Sequence, residues 1–129
     1  MSATGPDVTS IVHARDGDVR GYAHEGDENP VFAWKGIPYA APPVGALRFR
    51  APTPPARWDG VRDGRDFGPM APQGPSTAVP IDPNLVYDED CLSLNVWAPT
   101  PDGSPRPVLV WIHGGAYCLG SSAQAIYDG

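Results

Sequence analysis

Short runs of apolar and polar positions alternate from near the start of the chain. Val8 to Val12 and Val19 to Ala23 have strand-type composition, and the turn signal Arg15-Asp16-Gly17-Asp18 lies between them, so the pattern predicts a β-hairpin. Val31 to Lys35 predicts a third strand, ended by Gly36-Ile37-Pro38, and Leu92 to Ala98 alternates in part and predicts another. Val108 to Ile112 is apolar without a break, the pattern of a strand buried on both faces of a parallel sheet. From Pro38 to Pro55 the chain carries Pro42, Pro43, Pro52, Pro54 and Pro55, which exclude helix interiors and central ladder positions. That stretch is expected to be a coil held to the surface by Tyr39, Leu47 and Phe49. Pro69 to Pro83 reads as a second loop rich in Pro, Gly and Ser, Asp102-Gly103-Ser104 as a turn, and the segment after Gly120 as at most a short helical turn. There is no internal repeat.

Composition narrows the class. The 129 residues suit one domain, and 17 Pro with 15 Gly make it loop-rich, while 41% hydrophobic residues and four Trp argue against disorder throughout. Trp34, Trp58, Trp97 and Trp111 are expected to anchor core and loops. A formal net charge of −6 disfavours nucleic-acid backbones and anionic membrane surfaces as partners. The first residues show neither a basic start nor an apolar core of a signal peptide, and no apolar run approaches membrane-spanning length. Cys91 and Cys118 form neither a disulfide framework nor a metal spacing, so the expected location is the cytoplasm. His13 and His24 flank turns and read as exposed bystanders; oligomeric state is left open.

The chemistry is concentrated in His113-Gly114-Gly115-Ala116, placed directly after the apolar run. Glycines let the backbone bend sharply and bring N–H groups close to a developing alkoxide. A His-Gly-Gly after a buried strand has the form of the oxyanion-hole loop of α/β-hydrolases. On local sequence alone, a Gly-rich turn that closes a strand explains the same residues. No G-x-S-x-G occurs anywhere in the chain.

Three segments in order resemble the type B carboxylesterases, the family that also includes cholinesterases, and most of all its bacterial para-nitrobenzyl-esterase-like branch. They are Lys35 to Arg50 (KGIPYAAPPVGALRFR), Glu89 to Pro99 (EDCLSLNVWAP) and Val108 to Tyr117 (VLVWIHGGAY), and the closing Tyr127-Asp128-Gly129 also fits. The resemblance implies an α/β fold, the N-terminal portion of an α/β-hydrolase: an antiparallel hairpin plus the first strands of a large mixed sheet. It implies that residues 1–129 are part of a single domain cut after the oxyanion loop. The serine nucleophile, acid and histidine of the family all follow that loop, so this chain would supply the oxyanion hole without the triad and be inactive alone. The substrate implied is a small-molecule carboxylic ester, with no metal or organic cofactor. A non-catalytic cholinesterase-like binding protein and an inactive truncated product are the alternatives.

By the same resemblance, Gly115 and Ala116 supply oxyanion N–H donors, Gly114 is the loop hinge, and Tyr117 lines the substrate pocket. His113 belongs to the motif and is not a general base. Arg48 and Glu89 match a structural salt bridge, whose loss costs about 3–5 kcal/mol where such a pair is buried. A metal site at Asp88-Glu89-Asp90 is the competing reading of that acidic run, and it lacks the spacing of a calcium loop. Cys91 matches one half of a family disulfide whose partner position is Ala71, so that bridge cannot form. Cys118 is a small wall residue near the acyl site or a reactive thiol. The Pro72–Asp88 loop has no Trp at the place where cholinesterases hold a cation-binding one, which disfavours choline esters.

Overall fold

In a computed structural model, residues 8–23, 28–74 and 84–127 are described; His24, the rest of the second Pro-rich loop and the last two residues lie outside them. Strands β1 (Val8–Ala14) and β2 (Gly17–Ala23) pair antiparallel around Arg15-Asp16, with Val12 opposite Val19 and Ala14 opposite Gly17. Gly17 permits a close approach here: its φ is +151°, and any Cβ would overlap the Trp58 indole. Trp58 closes the hairpin end by donating Nε1–H to the Asp18 carbonyl at 2.8 Å and its backbone N–H to Asp16 at 3.0 Å.

Strand β3 (Val31–Pro38) pairs with β2 through Tyr22 and Ala33, and with β5 (Ser93–Pro99) along most of its length. It runs past the expected stop because Gly36, at φ +62°, absorbs a bulge between Trp34 and Ile37 instead of ending the strand. The short β4 (Val61–Asp63), unforeseen from the sequence, lies parallel to the Asp18–Arg20 stretch of β2. Gly64 links the diverging strands: its N–H donates to Arg20 at 2.8 Å and its carbonyl accepts from Lys35 at 2.7 Å. The result is a five-stranded mixed sheet in the order β1-β2-β3-β5, with β4 on β2.

One face of the sheet holds the core. Val19, Ala23, Phe32 and Trp34 are buried together, and Phe32 stacks on Trp34 at 5.8 Å between centroids. The Trp34 indole crosses Gly21 and donates to the Ser10 carbonyl at 3.3 Å, so it ties three strands together. On the other face the buried Lys35 donates to the Tyr22 hydroxyl at 2.8 Å and sits 4.1 Å from the Phe67 ring centroid.

Two expectations fail. Val108 to Ile112 forms no strand and is 69–93% exposed, because the described residues place no ladder partner along either edge. Tyr39, Leu47 and Phe49 are likewise exposed, Phe49 by 97%. The Pro-rich coil is held by its backbone instead, through Tyr39 N–H to Leu92 at 3.1 Å, Ala41 N–H to Thr53 at 2.9 Å and a 3₁₀ turn over Gly45–Leu47. Trp97 and Trp111 are also outside the core; Trp97 leans on Phe67 and Trp111 on Tyr127.

Candidate active site

Residues His113 to Gly120 form a tight loop between the exposed 108–112 segment and a partly buried tail. Its backbone is unusual in one stretch: φ is +130° at Gly115, +53° at Ala116 and +62° at Tyr117. Left-handed backbone at a residue with a side chain costs about 1–2 kcal/mol, so two in succession need a structural cause. The turn bonds supply one. The Gly115 carbonyl accepts from the Cys118 N–H at 3.1 Å and the Leu119 N–H at 3.0 Å, and the Cys118 thiol donates to it at 3.5 Å. A Cβ on Gly115 would overlap the Leu119 carbonyl oxygen, so only glycine fits there. Gly114 has no left-handed φ and open space around it, which places the bend at residues 115–117. Among the described residues, the Gly115 and Ala116 N–H groups donate to no partner.

His113 Nδ1 lies 2.7 Å from the Gly114 carbonyl. A carbonyl only accepts, so Nδ1 carries the proton and the ring is engaged within the loop. Tyr117 is fully exposed, and Cys118 is an exposed free thiol.

At the end of the loop, Gly120 is gripped by Gln73: its N–H donates to Gln73 Oε1 at 2.8 Å, and Gln73 Nε2 donates back to its carbonyl at 3.0 Å. Asn95 of β5 accepts from the Gly36 N–H at 3.0 Å and donates to Ser122 Oγ at 3.1 Å, bridging the β3 bulge to the tail. The buried Gln124 accepts from the Ser121 N–H at 3.3 Å, and the tail ends in a 3₁₀ turn over Ala125–Tyr127. Sequence reading missed all three amides. The available signal was Asn95, a poor strand former inside a strand pattern.

Away from the loop, Arg48 and Glu89 form an ion pair at 2.9 Å, with side chains 52% and 41% exposed. At that exposure the pair is worth no more than about 1 kcal/mol, well below the buried-pair figure. Asp88 is occupied differently, accepting from the Asp90 N–H at 2.8 Å. Cys91 is a free thiol whose pKa is raised, first by burial and then by the neighbouring acids.

A profile of the Carboxylesterase family matches residues 8–129. The chain belongs to the carboxylesterase family. The chain is 48% identical over 115 residues to phenmedipham hydrolase of Pseudarthrobacter oxydans, covering 86% of the chain and 22% of that relative. It is 46% identical over 121 residues to para-nitrobenzyl esterase of Bacillus subtilis (92% and 24%), and 39% identical over 141 to acetylcholinesterase of Electrophorus electricus (100% and 22%). Among solved structures, a PNB esterase superposes with TM-score 0.77 at 46% identity, covering 93% of the chain and 23% of that structure. A thermophilic PNB esterase gives 0.81 at 45%, covering 93% and 24%. The architecture is thus the N-terminal portion of the α/β-hydrolase fold, and the chain spans less than a quarter of the length of these relatives. No helix among the described residues is long and apolar enough to cross a membrane.

Proposed function

We propose that the carboxylesterase chain is the N-terminal part of a single catalytic domain that hydrolyses small carboxylic esters through a serine acyl-enzyme. In this reading the Gly115 and Ala116 N–H groups bind the oxyanion, Tyr117 lines the pocket, and the Arg48–Glu89 pair is structural. One observation carries it: a family member holds residues 115–117 in left-handed backbone with two consecutive N–H donors uncommitted.

The serine, supplied by chain beyond residue 129, attacks the ester carbonyl while a histidine takes its proton. The carbonyl oxygen becomes an alkoxide facing the loop. Collapse expels the alcohol, which leaves with the proton from histidine. Water then attacks the acyl-enzyme through the same oxyanion geometry and releases the acid. These steps call for no metal or organic cofactor. Exposed Val108 to Ile112 and Phe49 are surfaces for the remaining sheet and loops to cover. Cys91, with Ala71 where a partner sulfur would stand, supports a reducing cytoplasmic setting.

The test is turnover of para-nitrophenyl esters by the protein encoded by the whole reading frame, beside residues 1–129 alone. The longer protein should hydrolyse them and the shorter should not. Inactivity of both would refute the esterase reading, and activity of the short chain would refute its division of labour.

A further inference from the structure

We propose that Gln73 is the positioning residue of the oxyanion loop, an inference that rests on the esterase reading above. A primary amide presents a carbonyl and an N–H side by side, so it can satisfy both polar groups of one backbone residue. Gln73 does this to Gly120, at 2.8 and 3.0 Å, and its Nε2 also reaches the Ala71 carbonyl at 3.2 Å.

Gly120 is the loop's exit, and it packs against the loop's entrance. A Cβ on it would stand 2.8 Å from the Gly114 carbonyl and 3.1 Å from His113 Nδ1, and its φ is +92°. Holding Gly120 therefore holds both ends of the segment that carries Gly115 and Ala116. The bonds to the Gly115 carbonyl close the loop on itself; the Gln73 amide joins it to a segment 47 positions earlier. Oxyanion donors act only when correctly placed, and a displacement of about 1 Å can cost about 10²-fold in rate.

The experiment compares the protein encoded by the whole reading frame with its Gln73→Met and Gln73→Glu variants. Methionine keeps the length and deletes the hydrogen bonds; glutamate keeps the acceptor and loses the donor. Active sites are titrated with a fluorophosphonate, and kcat and KM are measured on a para-nitrophenyl ester. The Ki of a trifluoromethyl ketone, whose tetrahedral adduct bears the oxyanion, and hydrogen exchange over residues 113–121 are also measured. Gln73→Met should lower kcat per titrated site by about 10- to 100-fold with KM nearly unchanged, and should raise the ketone Ki in step. Exchange should quicken over 114–120 and stay unchanged in the hairpin. The excess exchange of Gln73→Glu over wild type should shrink from about pH 7 to about pH 4, as the protonated acid regains a donor. Unchanged kcat per site and unchanged exchange would overturn the inference. So would a loss confined to the titratable fraction, which marks a merely structural role. Absence of ester turnover in the wild type would instead overturn the esterase reading beneath it.

Discussion

Gly115→Ala separates an oxyanion loop from an ordinary Gly-rich turn. Alanine brings two penalties to this position. Its methyl would overlap the Leu119 carbonyl, and φ of +130° lies in a region essentially restricted to glycine, where the strain is about 1–3 kcal/mol. Relief requires the turn to open, which releases the bonds from the Cys118 and Leu119 N–H groups, each worth about 0.5–1.5 kcal/mol net. The loop relaxes out of its left-handed form, and the Gly115 and Ala116 donors move with it. Loss of one such donor lowers kcat by about 10²–10³. The assay is steady-state kinetics on a para-nitrophenyl ester, normalised to fluorophosphonate-titrated sites, with Gly114→Ala as the control. Gly114 has open space and no left-handed φ, so its alanine variant should stay within about tenfold of wild type. A Gly115→Ala protein with wild-type kcat, or a Gly114→Ala protein equally crippled, would refute the reasoning.

Other outcomes follow from the same contacts. Trp34→Ala should destabilise the sheet by about 3–5 kcal/mol in urea unfolding, since it empties the core and frees the Ser10 carbonyl. Glu89→Ala should cost no more than about 1 kcal/mol in the same experiment, and less at high salt, because the Arg48 pair is half exposed. Asp63 is held below its ordinary pKa of 3.8, first by the side-chain hydrogen bonds from Arg65. Its stabilising contribution is therefore present above that value and fades as pH falls through the lowered one, so Asp63→Asn should flatten the acid limb of a stability–pH profile. In a Cys118→Ser background, thiol alkylation of Cys91 should have a pH midpoint above the usual 9.0.

The elements legible in the sequence are those fixed by neighbours. Arg15-Asp16-Gly17 predicts the β1–β2 hairpin because the turn and its flanking strands are contiguous. Gly36-Ile37-Pro38 looks like a stop because Gly and Pro usually end strands; pairing with β5 instead carries β3 through a bulge. Three residues, Val61 to Asp63, carry too little periodicity to announce β4, which exists only because β3 diverges from β2 and leaves an edge open. Val108 to Ile112 has the composition of a buried strand, but burial is a property of partners, and none lies beside it among the described residues.

The sharp bend after His113-Gly114 is legible because such bends need glycine locally, whereas the oxyanion role of the loop is the proposal made above. The hinge expected at Gly114 was harder to place: adjacent glycines look alike in sequence, and only the close approach of Leu119 singles out Gly115. Gln73 and Gln124 leave no pattern, and Asn95 leaves only that of a poor strand former inside a strand run. Gln73 and Asn95 reach distant segments, Gln124 folds back on its own turn, and single amides in loops resemble ordinary solvated residues.

The central claim is that this loop serves a serine elsewhere in the same domain. The most direct measurement is fluorophosphonate labelling of the protein encoded by the whole reading frame, followed by peptide mass spectrometry. The account predicts one labelled serine, beyond residue 129, with loss of ester hydrolysis in proportion to labelling. An unlabelled protein, or a label on a serine within residues 1–129, would contradict it.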